Sequence, residues 1–168
     1  MTLASAAGWR GFQFANRAGG SAGAPTYNIG GAGTSTTFAG AITGNSIVNK
    51  VGTGTLTLSG ANTYTGKTSM SLVATNALGS TLSVSSFNSV NGGTPLLPNS
   101  SLGCPTTVAN GTIDFGSTTA QGAATLKYTG SGETTDRVIN FLFNGSGVTK
   151  TLDASGAGLL KFTSTFTG

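Results

Sequence analysis

Apolar side chains recur along this chain at every second position over short stretches and then give way to Gly, Asn or Ser. Tyr27 and Ile29, Leu56 and Leu58, Leu82 and Val84, Ile113 and Phe115, Leu126 and Tyr128, Ile139 and Phe141, and Leu160 and Phe162 are each separated by a single residue. A period of two places one set of side chains on one face of a strand and the intervening set on the other. The same reading extends to Phe12 with Phe14, Phe38, Ile42, Ile47 with Val48, Met70 with Leu72, Phe143, Val148 with Leu152, and Phe166. No window of a dozen residues holds a Gly-free apolar stripe of helical spacing, so the chain reads as all-β, built from short strands separated by tight turns.

Two architectures fit short strands at this spacing. In an antiparallel sandwich, Asn91-Gly92, Asn110-Gly111 and Asn144-Gly145 serve as hairpin turns. In a parallel β-helix, coils of two or three strands stack on one another, and Gly and Asn supply the corners. The brevity of the strands, the Thr on the outer face and the small residues where turns approach favour the coil, with the sandwich as the alternative. At about 20 residues and ~4.8 Å per coil, the chain gives roughly eight coils and a rod of about 40 Å. The whole of residues 1–168 reads as a single segment, with a loop excursion at 85–105, where Gly92-Gly93, Pro95, Pro98 and Pro105 break the rhythm.

Composition narrows the chemistry. Of 168 residues, 28 are Gly, 29 Thr, 19 Ser and 12 Asn, which leaves little room for reactive groups. There is no His and one Cys, so neither a Ser/His/Asp or Cys/His nucleophile nor a Cys/His zinc site can be assembled. Cys104 reads as a small core residue. Hydrophobic residues at 37 % and charged residues at 7 % exclude the disordered class, which pairs low hydrophobicity with high charge. The net charge of +4 comes from scattered Lys and Arg, not from the basic stripe of a nucleic-acid binder. No apolar run approaches the ~20 residues of a membrane-spanning helix, and the first residues do not read as a signal peptide. No enzyme activity, cofactor, metal, nucleic-acid partner or membrane insertion is expected.

The most informative stretch runs from Lys50 to Leu72, KVGTGTLTLSGANTYTGKTSMSL. Gly52 and Gly54 allow a tight entry; Leu56 and Leu58 point one way, Thr55 and Thr57 the other. Gly60-Ala61-Asn62 reads as a corner with Asn62 in the left-handed region, Tyr64 covers the core beside it, Gly66 turns again, and Met70 returns to the interior. The segment resembles the bacterial autotransporter-associated β-strand repeat. Lys50, Gly52, Gly54, Thr55, Leu56, Leu58, Gly60, Asn62, Tyr64, Gly66 and Thr68 fit its pattern in register, and Leu126-Lys127-Tyr128 and Thr135-Asp136-Arg137 are similar to its flanks. Lys67 stands where the family often has Gly. The pattern occurs once in full, over about an eighth of the chain.

The resemblance implies a right-handed parallel β-helix of the passenger type: a structural or adhesive extracellular module on the bacterial cell surface, belonging to a longer protein or a fibre subunit. End-to-end self-association and a surface polysaccharide or host-cell ligand are the partners it suggests. A carbohydrate-binding or polysaccharide-cleaving β-helix is the alternative, since Asp114, Glu133, Asp136 and Asp153 are acids such a site would use. The expected role of Glu133 and Asp136 is a solvated turn, with Asp136 pairing Arg137 or capping that turn, and of Asp114 and Asp153 outward positions on strands. Gly60 to Thr68 falls short of a phosphate-binding loop, with five residues between glycines where four are needed and no helix to follow. Thr55-x-Thr57, Thr63-x-Thr65 and Thr163-x-Thr165 are similar to the flat ice-binding faces of some β-solenoids. Such faces need coils of constant length, and the irregular spacing here assigns these residues to ordinary outward strand positions.

Overall fold

The computed structural model describes residues 23–70, 79–90, 97–116, 122–142 and 149–168. Phe12, Phe14, Trp9, Leu72, Phe143, Val148 and the turns at Asn91-Gly92 and Asn144-Gly145 lie outside these residues. Among the described residues, twelve short strands alternate with corners: β1 (Thr26–Ile29), β2 (Thr36–Phe38), β3 (Ile47–Lys50), β4 (Gly54–Leu58), β5 (Thr68–Met70), β6 (Ser80–Val84), β7 (Ile113–Gly116), β8 (Ala124–Tyr128), β9 (Ser131–Thr135), β10 (Ile139–Leu142), β11 (Lys150–Asp153) and β12 (Gly158–Phe162). One helical turn, α1 (Val108–Gly111), precedes β7, and Thr107 caps it by accepting from the Asn110 N–H.

Pairing decides between the two architectures. The strands form sheets ordered β1-β3-β5-β7-β10, β11-β8-β6-β4-β2 and β12-β9, and all the strand pairs are parallel. Sequential strands therefore lie in different sheets, and each pairs with the strand one coil away. Hairpins cannot produce this order, so the antiparallel sandwich does not hold and the arrangement is that of a parallel β-helix.

Coil length varies more than the sequence suggests. In the first sheet the register advances 21 residues from Thr26 to Ile47, 20 from Val48 to Thr68, 45 from Thr68 to Ile113 and 26 from Ile113 to Ile139. Five rungs stand among the described residues, with coils of 20 to 45 residues in place of a uniform 20 or so. The extra length of the third coil enters between β6 and β7, where residues 85–90 and 97–105 leave the strand path and fold back on the third side of the stack. The sheets themselves stay in register across it.

That register stacks like on like. In the second sheet Leu56, Leu82, Leu126 and Leu152 form one inward column, and Phe38, Leu58, Val84 and Tyr128 another. In the first, Tyr27, Val48, Thr68, Ile113 and Ile139 are aligned, as are Ile29, Lys50, Met70, Phe115 and Phe141. The inward residues of the middle coils are fully buried, and those of the last coil, Phe141, Leu152, Leu160 and Phe162, are partly so. Rings run across this end, Phe87 on Phe162, Phe162 on Phe166 and Phe166 on Phe141, with centroids 5.0 to 5.8 Å apart.

The outward face of the first sheet carries a polar column. Asn49 donates to Asn28 Oδ1, Ser69 to Asn49 Oδ1, Asn140 to Asp114 Oδ1 and Thr167 to Asn140 Oδ1, at 2.8 to 3.0 Å. Asp114 also pairs with Lys67 at 2.5 Å, and on the second sheet Asp153 pairs with Lys127 at 3.2 Å. Both acids occupy the outward positions expected of them.

Because each inward side chain fills a column shared by its neighbours, a cavity there cannot close by local collapse. Leu82→Ala, in the middle of its column, should cost about 2–5 kcal/mol, whereas the outward Thr81→Ala should stay within about 0.5 kcal/mol; equilibrium denaturation checks both.

Candidate functional site

The residues of the Lys50–Thr68 motif come together around two corners, and each is used to hold the coil. Lys50 ends β3 on the inward side and is 1 % exposed. Its Nζ donates to the carbonyls of Val51 and Gly52 at 2.9 Å and of Thr53 at 3.2 Å, and lies 3.4 Å from Ser80 Oγ. The ammonium gathers the carbonyl oxygens that a sharp turn leaves unpaired. Burial pulls it down to about 8 from the usual lysine range. Gly52 makes that turn at φ 66°, and a Cβ there would lie 2.4 Å from Gly30 O in the coil below. Gly54 has φ 73° and opens β4, whose Leu56 and Leu58 are buried.

At the second corner a Cβ on Gly60 would fall 1.9 Å from Gly40 O, and one on Gly66 2.3 Å from Ser46 O, so close stacking of successive turns demands glycine here. Asn62 is completely buried. Its Oδ1 accepts from the Ile42 N–H and its Nδ2 donates to Ser101 O, both at 2.8 Å. It thus joins three layers: the coil below, its own coil and the excursion. The left-handed conformation expected of Asn62 is not what it uses. Among the described non-glycine residues the positive φ belongs to Asn88, at 65°. The Asn62 side chain does the bridging from ordinary backbone geometry. The buried Tyr64 hydroxyl lies 2.7 Å from Thr68 Oγ1, and burial pushes its pKa up to about 12.

The excursion is clamped to the stack by Glu133, Asp136 and Arg137. Glu133 accepts from the N–H groups of Phe87 at 2.8 Å and Asn88 at 2.5 Å, and Asp136 from that of Val90 at 2.6 Å. Arg137 is 1 % exposed and donates through Nη2 to Leu102 O at 2.7 Å and Gly103 O at 3.3 Å. Burial lowers its pKa to about 10. Residues 87–90 pass alongside β9 without joining it as a strand, and these side chains supply the partners that a sheet ladder would. Asp136 therefore caps the excursion and forms no pair with Arg137. Asn88 closes the base of the loop, accepting from Ser89 N and Leu97 N and donating to Leu97 O.

The four acids thus do not converge on one point. Both Glu133 oxygens are occupied by backbone donors; Asp114 and Asp153 are paired with lysines on different sheets. The Ser155 hydrogen bonds, with Lys127 adding to them, hold Asp153 below the usual carboxylate range. Among the described residues no group of three or more His, Cys, Asp or Glu could hold a metal ion. A cleft of about 640 Å³ opens on the third side between Leu97, Tyr128, Glu133, Leu159 and Lys161. Cys104 is half-buried and free, and burial pushes its thiol up. The sequence reading missed the buried lysine and arginine. The signal was there: Lys beside Gly-x-Gly, and three charged residues, Glu133, Asp136 and Arg137, within five positions of a chain only 7 % charged.

Two measurements test these assignments. Glu133→Ala frees the Phe87 and Asn88 amides, so hydrogen exchange should accelerate at residues 87–90 while the β4, β6 and β8 amides keep their protection. For Lys50, the folded chain releases its proton near pH 8 and the unfolded chain near 10.5, so burial of the charge costs stability below about pH 8 and the cost is relieved as pH rises through that window. The denaturation midpoint of the wild type relative to Lys50→Met should rise between about pH 8 and about pH 10.5.

Comparison with known proteins assigns the motif. No curated protein and no solved structure matches the chain. Residues 48–69, which contain the Lys50 cap, the stacked glycines and the Asn62 bridge, match the family model of the passenger-associated-transport-repeat. Over that stretch the chain is similar to a passenger-associated transport repeat, consistent with the resemblance to the autotransporter passenger repeat.

Proposed function

We propose that this chain is a non-catalytic structural segment of the passenger of an exported bacterial surface protein, a β-solenoid shaft that carries its excursion on one side. The observation that carries this reading is where the chemistry goes. Lys50, Asn62, Tyr64 and Thr68 are spent inside the coil, and Glu133, Asp136 and Arg137 on holding the excursion. A catalytic carboxylate must be able to exchange a proton with substrate, and Glu133 has both oxygens committed to backbone donors. The passenger repeat implies a surface or extracellular location. Among the described residues no helix is long and apolar enough to cross a membrane.

The shaft also extends itself end to end. The last coil leaves Leu152, Leu160 and Phe162 only partly buried and Phe166 39 % exposed, and β11 and β12 present edges with no further strand among the described residues. A parallel edge of this kind is completed by another coil in the same register, which the next coil supplies in a longer passenger and a second copy can supply for this chain alone. In this role the module is a spacer or adhesive stalk, and a polysaccharide or host-cell ligand would bind its exterior.

Incubation with a panel of polysaccharides should release no reducing ends. Depolymerisation abolished by Glu133→Gln or Asp153→Asn would overturn the structural reading in favour of an enzyme. Sedimentation over a wide concentration range, with electron microscopy, should show assemblies that Leu160→Lys weakens; monomers throughout would remove the end-to-end part.

A further inference from the structure

The outward face of the second sheet holds an ordered hydroxyl array. Register places Thr55, Thr81, Thr125 and Thr151 in one column, with Ser35 below them, its Oγ accepting from the Thr55 N–H at 3.1 Å. Beside it stand Thr37, Thr57 and Ser83, followed by Lys127 and Asp153. The array is thus two hydroxyls wide on the β2 and β4 rungs; on the β6 rung Thr81 continues the column while Ser83, 7 % exposed, is buried. It continues as a single column where the Lys127–Asp153 ion pair takes the second position. Rungs are spaced at ~4.8 Å and the two columns at ~6.6 Å, the strand and pleat repeats of a parallel sheet.

The objection raised by uneven coil lengths does not apply to this face. The 26- and 44-residue steps from Gly54 to Ser80 and from Ser80 to Ala124 add their extra residues outside the strands, and the columns pass through unbroken. A second observation separates this face from the first sheet. There, Asn28, Asn49, Ser69, Asp114, Asn140 and Thr167 spend their polar atoms on cross-rung bonds. The hydroxyls of Thr37, Thr55, Thr57, Thr81, Thr125 and Thr151 have no protein partner among the described residues, so each keeps a donor and acceptors for water.

We infer that this face binds ice. The array offers methyl and hydroxyl groups at a fixed repeat, with no aromatic platform and no charge over its first three rungs. Those features suit neither a stacked sugar nor an ionic ligand. Water held in register by such a lattice costs little further ordering when it joins a crystal whose short repeat is close to the rung spacing. The groups that specify the face are Thr55, Thr57 and Thr81.

The test is ice recrystallisation and thermal hysteresis of the purified chain. The wild type should slow recrystallisation and show hysteresis. Thr57→Lys and Thr81→Lys should lose both while keeping the circular dichroism and melting temperature of the wild type. Asn28→Lys, on the first sheet, should retain both. Wild-type behaviour equal to that of an inert protein would overturn the inference. So would full activity in the folded threonine variants, an equal loss in Asn28→Lys, or adsorption to crystalline cellulose or chitin with no effect on ice.

Discussion

Parallel in-register pairing between coils is the constraint from which the rest of this structure follows. Once each strand must lie over the strand one coil earlier, a residue's environment is fixed by the residue beneath it as much as by its own neighbours in sequence. Leu56, Leu82, Leu126 and Leu152 share a column for this reason, and so do the outward Thr55, Thr81, Thr125 and Thr151. Changes of length cannot be absorbed within a strand without turning every side chain to the wrong face. They are expelled to the corners and the third side, where the long coil places its excursion.

Corners are where the stack is expensive, since turns leave carbonyl and N–H groups without ladder partners. The chain meets this with side chains that would otherwise be surprising in a core. Lys50 takes three turn carbonyls, Asn62 ties a corner to the layers on both sides, and Arg137 with Glu133 and Asp136 pairs the excursion's backbone where strand pairing stops. A buried charge satisfied by carbonyl dipoles fixes a geometry more than it adds stability. In a protein with so few charged residues, using them inside is consistent with a chain selected for shape.

Strands were legible wherever two apolar residues flanked one polar residue, as at Leu56-Thr57-Leu58 and Ile113-Asp114-Phe115, because that local alternation is what a half-buried strand requires. The repeat was legible because its glycines mark places where turns touch: Gly60 and Gly66 have no room for a side chain. What could not be read was long-range. Nothing near Arg137 indicates that its guanidinium reaches the carbonyls of Leu102 and Gly103, and nothing near Asn62 announces Ser101 as its partner. A turn-forming Asn suggests left-handed backbone, yet here a completely buried side chain finds its bonds without it. Uneven coil spacing hid the alignment of the threonines, which depends on where the extra residues leave the strand path.

The direction of pairing between coils can be measured directly. Nuclear Overhauser contacts across β4, β6 and β8 should link the amide protons of Leu56, Leu82 and Leu126 to the α-protons of the adjoining strands in parallel register, without close α-proton to α-proton contacts. Strong cross-strand contacts between α-protons, with β4 paired to its sequential neighbours, would establish hairpins and contradict the stacked coil.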